Sequence, residues 1–283
     1  MLKNIIKNII LNIAMRIPPP FNLRVTVKIN NKKFKIPIIK NVGLSNLLMS
    51  EIWMTEVIKK MLTGKRGAFV DVGANIGQTL LKLKSVDENI EYLGFEPNKA
   101  CVSYLAELIK INKFKNVHIY PIGLYNTDKS ANLVMSSGKE VDAGATVITN
   151  FRAKKNNSNE IIVDLARADN IKSLINISDI SVIKIDVEGA ELEVLEGAIG
   201  IIKKHCPVII IEILPVYNEK NIFRLERQEK VENIVNMLNY EIFQIEKTPQ
   251  GNLKNIERIK TIGIHSDLSR CDYILAPIKS MAL

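Results

Sequence analysis

Val70-Asp71-Val72-Gly73-Ala74-Asn75-Ile76-Gly77-Gln78-Thr79 reads as the end of an apolar strand, a glycine turn and the start of a helix. Gly73 carries no Cβ, so the chain can turn sharply off the strand. Gly77 permits close contact where the helix begins, and the free backbone N–H groups there suit a carboxylate or ribose oxygens. Further apolar runs lie downstream at 92–96 (YLGFE), 117–123 (VHIYPIG), 181–187 (SVIKIDV), 207–213 (PVIIIEI), 240–246 (YEIFQIE) and 272–277 (DYILAP). Helical spacing occupies 98–112, 190–204 and 226–239 between them. Strands alternating with helices predict a mostly parallel sheet covered on both faces, and near-continuous apolar strands fit burial on both sides. The last two runs have no helix between them and are expected to pair antiparallel at an edge.

In an open α/β sheet, ligands sit beyond the carboxyl ends of the strands. Glu96 ends the second run, 23 residues after Gly73. A carboxylate there can accept hydrogen bonds from both ribose hydroxyls of an adenosine, a feature shared with NAD-binding domains. The turn separates the two cofactors. A dinucleotide fingerprint needs G-x-G-x-x-G, whereas Asn75 and Gln78 hold its second and third glycine positions here. Asp71, two residues before the first glycine, would repel a pyrophosphate while suiting a cofactor with an amine and a sulfonium.

A second group of acids follows the fourth run: Asp186, Glu188, Glu191 and Glu193, with Gly189 allowing the turn into a helix. Glu191 and Glu193 fall in the helix's first turns, where acidic residues complement the dipole. Asp186 and Glu188 should project at the edge of the cleft, with Glu212 beside them at the end of the fifth run. One of these carboxylates could act as general base on a substrate hydroxyl. Alternatively Asp186 and Glu212 could bind a divalent cation that orients the acceptor, the less favoured reading. A third role is to hold the cofactor's ammonium. Lys184 is either a charge partner for these acids or a solvated side chain.

DVGANIGQT (71–79), FEPN (95–98) and IKIDVEGAELEVLEGA (183–198) together resemble the FkbM family of class I S-adenosylmethionine-dependent methyltransferases. The resemblance runs from about Gly64 to Glu212. It implies a Rossmann-like α/β fold, with a mostly parallel seven-stranded sheet and an antiparallel edge strand. It also implies S-adenosylmethionine as cofactor and methyl transfer most often to a hydroxyl oxygen. Asp71, Gly73, Asn75 and Gly77, with Ala74, Gln78 and Thr79 in the same segment, would hold the methionine end. Glu96 would take the ribose, Pro97 and Asn98 would flank the adenosine, and Gly123 would border the adenine.

Residues 1–65 lie outside the strong resemblance and read as a lid or oligomerisation segment; 66–283 read as the methyltransferase domain. Leu2, Ile5, Ile6, Ile9, Ile10 and Ile13 recur at helical spacing, with Lys3 and Lys7 on the other side. This run is too short to span a bilayer, which needs about 20 apolar residues. It is expected to pack on the domain or a second subunit, or to lie in a membrane surface. Ile17-Pro18-Pro19-Pro20 makes a poor signal-cleavage site. Residues 23–39 alternate around Asn30-Asn31 as a hairpin. Ser45 can cap a helix running to a stop at Gly64, from which Glu51 and Trp53 could reach over the cleft unless they pack on the core.

The 283 residues carry a net charge of +9, with Lys and Arg scattered rather than interleaved with aromatics, so no specific nucleic-acid binding is expected. Three separated cysteines without a CxxC argue against a disulfide framework or structural zinc and make a reducing cytoplasm the default. The expected acceptor is a small-molecule or glycan hydroxyl. Its specificity would lie in residues 1–65, 124–162 and 247–271. A nicotinamide-dependent oxidoreductase and a non-catalytic membrane-surface protein keeping the fold are the competing readings.

Overall fold

The computed structural model describes residues 23–48, 51–149, 151 and 158–278. The amphipathic stretch at 1–16 and most of the polar loop expected at 150–160 lie outside them. The chain opens with a hairpin, β1 (Leu23–Ile29) and β2 (Lys32–Ile38), followed by α1 (Leu44–Leu48) and α2 (Ile52–Leu62). Then come β3 (Ala68–Val72), α3 (Gln78–Val86), β4 (Tyr92–Phe95), α4 (Lys99–Asn112) and β5 (Val117–Tyr120). A smaller unit holds β6 (Gly123–Leu124), β7 (Lys129–Met135) and β8 (Asn159–Ala166), and α5 (Lys172–Asn176) leads back. The second half runs β9 (Ile180–Ile185), α6 (Glu191–Gly197), α7 (Ile199–His205), β10 (Val208–Glu212) and α8 (Ile222–Met237). It ends with β11 (Tyr240–Lys247), β12 (Leu253–Ile259) and β13 (Asp272–Pro277).

The main sheet has the order β12-β11-β13-β10-β9-β3-β4-β5. From β10 to β5 every pairing is parallel. All seven expected strands are present, and the sheet turns out to have an eighth. The last two expected runs, β11 and β13, do pair antiparallel, with β13 inserted between β10 and β11, and β12, antiparallel to β11, forms the edge. The sequence of β12, LKNIERI, gave no strand signal because an edge strand leaves most of its side chains in solvent.

Both faces of the sheet are covered, which explains the unbroken apolar strands. Val70, Val72, Ile183, Ile185 and Ile211 pack beneath Leu192, Leu195, Ile201, Val231 and Val235 of α6, α7 and α8. On the other face Phe69, Val182, Ile210 and Ile274 meet Trp53, Val57 and Ile58 of α2, with Leu80, Leu83 and Leu105. Fully burying one such side chain contributes about 1.5–3 kcal/mol. Helix α2, although upstream of residue 65, therefore forms part of the sheet's own covering layer.

Four local expectations shift. The helix expected from Ser45 to Leu62 is divided, with Glu51 in the left-handed region (φ 57°) just before α2. The helix expected over 190–204 breaks at Ala198, where the Asp169 carboxylate accepts the N–H groups of Gly200 and Ile201 at 3.0 and 2.9 Å. The third strand stops at Tyr120 before Pro121, which has no N–H to give the ladder. Beyond it, Gly123, expected to end that strand, instead forms β6 with Leu124 and pairs with β8 in a separate three-stranded sheet.

Candidate active site

The carboxyl ends of β3, β4, β9 and β10 open into one cleft, roofed on one side by the small sheet. At Gly73 the chain leaves β3 with φ 83°, and a Cβ there would stand 1.9 Å from the Asp186 carbonyl oxygen. The two halves of the site therefore touch through backbone, with no room for a side chain. Gly73→Ala is expected to cost about 3 kcal/mol or more, a left-handed penalty added to an unrelievable clash. A thermal melt checks this; an unchanged melting temperature would contradict it.

Glu96 is the fixed point of the cofactor half. Its two carboxylate oxygens accept the backbone N–H groups of Asn75 and Asn98, each at 2.8 Å, and so tie the glycine turn to the start of α4. Burial pushes the carboxyl up to about 7, even though both N–H donors pull it down. Asn98 is the N-cap of α4, accepting from Ala100 N–H at 2.9 Å, and its amide donates to the Glu140 carbonyl at 2.8 Å.

Of the residues the sequence singled out, Gly73, Ala74, Asn75, Gln78, Thr79, Glu96, Pro97, Asn98 and Gly123 line the cleft beside Asp186, Glu188 and Glu212. Asp71 and Gly77 do not. Gly77 lies behind the turn, where a Cβ would press on Leu105 and Leu108. Asp71 is wholly buried inside β3, receives the Tyr92 hydroxyl at 2.6 Å and faces Lys184 Nζ at 3.4 Å. Burial raises its pKa, and Lys184 and Tyr92 work against that rise. Trp53 is core, whereas Glu51 does reach the cleft and accepts from the buried Lys82 at 2.7 Å.

Lys184 is the partner of both acids rather than a solvated side chain. Its ammonium is buried between Asp71 and Asp186, 3.0 Å from the latter, and lines the cleft floor. Burial alone would lower its pKa, but the two carboxylates hold it well above its ordinary value.

Asp186, Glu188 and Glu212 each bring one carboxylate oxygen to within 4.8 Å of the others. Their protonation is not equivalent. Burial would raise Asp186, yet the Lys184 charge and a hydrogen bond from Glu212 outweigh it and keep its carboxyl below the usual range. Glu212 is pushed up to about 10 by burial and then by the Asp186 charge, so it carries the proton of the pair. Between the ordinary 4.5 and about 10, the folded chain holds a proton at Glu212 that the unfolded chain has lost. Stability contributed by this site therefore falls as pH rises through that window. Glu212→Gln has no proton to lose, so it should melt several degrees above the parent at pH 8 and converge with it near pH 5. Equal melting temperatures at both pH values would contradict the assignment.

The methyltransferase FkbM domain model matches residues 71–247, more than half of the chain. This protein belongs to the FkbM methyltransferase family. The matched stretch runs from β3 through β11 and so includes the glycine turn, Glu96 and the acid cluster, while Glu51 and Asp272 lie outside it. Among curated proteins, Methyltransferase 1 of Beauveria bassiana (strain ARSEF 2860) is 27% identical over 143 residues. That alignment covers 45% of this chain and 57% of the relative, so the chain spans little more than half the relative's length. The solved methyltransferase FkbM from Methylobacillus flagellatus KT is 18% identical, with a TM-score of 0.46 over 74% of this chain and 43% of that one. An SAH-bound Podospora anserina methyltransferase, PaMTH1, is 9% identical, with a TM-score of 0.40 over 84% and 79% of the two chains.

Within the FkbM domain, the turn carrying Glu188 is held by Glu191 and by residues that the sequence did not single out, Arg227, Arg224 and Phe151. Glu188 adopts φ 55° and Gly189 φ 110°, a conformation that costs free energy unless its surroundings fix it. The Gly189 N–H donates to Glu191 at 2.8 Å, and its carbonyl accepts from Arg227 at 2.7 Å. Arg227 is in turn forked onto Glu193. Glu191 and Glu193, expected only to complement the helix dipole, are buried and brace the turn. Phe151 packs against Gly189, and the Arg224 guanidinium lies 4.2 Å from its ring centre. Arg227 stands 38 residues from its carbonyl partner, and only the packing of α8 against α6 brings them together.

Proposed function

We propose that the protein transfers a methyl group from S-adenosylmethionine to a hydroxyl oxygen of a small molecule or glycan. The observation that carries this reading is the division of the cleft. One end is a neutral glycine turn braced by Glu96; the other is an acid cluster with one ionised member, Asp186, and one protonated member, Glu212.

The residues present fit the cofactor. Glu96 has lone pairs left for ribose hydroxyls after accepting two N–H groups. Gly73, Ala74 and Asn75 bring backbone to the cleft wall with little side chain in the way. When bound, S-adenosylmethionine would supply an electrophilic methyl group on a sulfonium that leaves with the bond's electron pair. Asp186 would accept the acceptor's hydroxyl proton as the new C–O bond forms, acting as general base. Lys184 keeps Asp186 ionised beforehand, Glu212 orients it by donating its proton in a hydrogen bond, and Glu188 lines the cleft beside them. Much of the rate would come from alignment of the two substrates.

Radiolabelled methyl transfer to a panel of hydroxylated acceptors tests the reading. Label in an ether-linked methyl supports it; label on amine or carbon acceptors alone would refute it. A divalent cation on Asp186, Glu188 and Glu212 is the second reading, favoured by the closeness of their oxygens. Lys184 already supplies a fixed positive charge there, so chelation with EDTA is expected to leave turnover unchanged. Loss of turnover restored by magnesium would favour the cation instead.

A further inference from the structure

Glu51 is held in a conformation that its own backbone does not favour. It stands just before α2 with φ 57° and ψ 52°, and its side chain caps no N–H of the helix. Gly or Asn adopts that region with ease, whereas a long side chain is strained in it. Strain of this kind persists only where the surroundings fix it, and it gathers at functional sites. Here the fixing contacts are explicit. The Trp53 N–H donates to the Gly251 carbonyl at 3.1 Å, and its indole is buried in the core. The Lys247 ammonium lies 5.0 Å from the Trp53 ring centre and is paired with Asp272. The start of α2 is thus pinned to the β11–β12 turn and to the first residue of β13.

The carboxylate itself is placed rather than free to swing. One oxygen accepts from Lys82, whose side chain is 3% exposed, at 2.7 Å. Among the described residues no group hydrogen-bonds to the other oxygen, and the Glu51 side chain is 38% exposed at the cleft wall. Its charge acts on the acid end of the cleft. Burial would lower Lys184, and Asp186, Asp71 and then Glu51 hold it above its ordinary value. Asp272, which pairs in register with Glu212, is pushed up to about 6 by burial, and Glu51 adds to that rise against the pull of Lys247. Asp186 at the end of β9 and Glu51 at the start of α2 therefore line one space from different elements.

We infer that Glu51 is an acceptor-binding residue: its second oxygen takes a hydrogen bond from one hydroxyl of the acceptor while a neighbouring hydroxyl meets Asp186. The acceptor is then polyhydroxylated and sugar-like. A carboxylate can only accept, so the group it reads must be a donor, and an ether or a bare carbon in that place goes unrecognised. Lys82 fixes the direction of the carboxylate, which holds the acceptor in one orientation, the alignment that methyl transfer needs. The inference rests on the methyl-transfer reading. Its rival is a purely structural Glu51 that does no more than neutralise Lys82.

Steady-state kinetics with radiolabelled S-adenosylmethionine separates the two, with methyl glucoside, methyl galactoside, methyl mannoside, their monodeoxy forms and cyclohexanol as acceptors. On the best sugar, Glu51→Gln should raise the acceptor KM about tenfold or more with kcat within about twofold of the parent, the pattern of a lost binding contact. Removing one neighbouring hydroxyl from the sugar should raise the parent's KM by a similar factor. It should add little in Glu51→Gln, because both changes delete the same hydrogen bond. Glu51→Leu with Lys82→Met removes the ion pair without leaving a buried charge. That variant should bind S-adenosylhomocysteine like the parent and show the same raised KM. An unchanged KM in either variant would overturn the inference. So would a parent that methylates cyclohexanol as well as the sugars, or methylates no sugar, and transfer to cyclohexanol would leave the methyl-transfer reading standing. Label on amine or carbon acceptors alone would overturn that reading and this inference with it.

Discussion

Glu96→Ala should lower the affinity for S-adenosylhomocysteine about 100-fold. The carboxylate does two jobs at once: it would receive the ribose hydroxyls, and it holds the N–H groups of Asn75 and Asn98 that shape the turn. Hydrogen bonds to a charged group are worth about 1.5–3 kcal/mol each, and 1.4 kcal/mol is a factor of ten, so losing two costs at least two decades. Glu96→Gln should lose less, because its amide oxygen can still accept one N–H. The pH dependence separates the two roles. Free Glu96 titrates at about 7, and ribose donors favour its ionised form. Affinity should therefore weaken as pH falls through 7 in the parent and stay flat in Glu96→Gln. Titration calorimetry at pH 6 and pH 8 checks both; a parent with no pH dependence would count against the ribose role.

Asp186→Asn should lower kcat about 100-fold or more while leaving S-adenosylhomocysteine affinity unchanged, the usual scale for removing a general base. Glu212→Gln should retain most activity, because Glu212 already carries its proton and an amide can donate in its place. This contrast sorts acids that the sequence could only group together. Equal loss in both variants would argue for a shared cation, and no loss in Asp186→Asn would leave catalysis to alignment alone.

The fold was legible because its informative parts are local. Strands buried on both faces appear as short apolar runs whatever their partners, and the turn after Val72 and the acid at Glu96 sit on consecutive elements. Other features depend on seating across the sheet. Lys82 and Lys84 look like the solvent face of an amphipathic helix, yet both are buried. Lys82 meets Glu51, and the Lys84 ammonium donates to the carbonyls of Glu88, Ile90 and Lys115 at 2.8–3.0 Å. Asp71 looked like a cofactor ligand because it adjoins Gly73. The strand's alternation instead turns it inward to Tyr92 and Lys184, and its effect reaches the cleft through that lysine. β7 and β8 escaped notice because their alternating, half-covered pattern lies among turn-forming residues. With them went Asp142, whose carboxylate receives the N–H groups of Ser137 and Gly144 on the cleft wall.

Binding of the methyl donor's product by the unmodified protein tests the central claim most directly. Calorimetric titration with S-adenosylhomocysteine should give saturable one-to-one binding, and the same titration with NAD should give none. Heat from NAD with silence from S-adenosylhomocysteine would contradict the assignment of this cleft to methyl transfer.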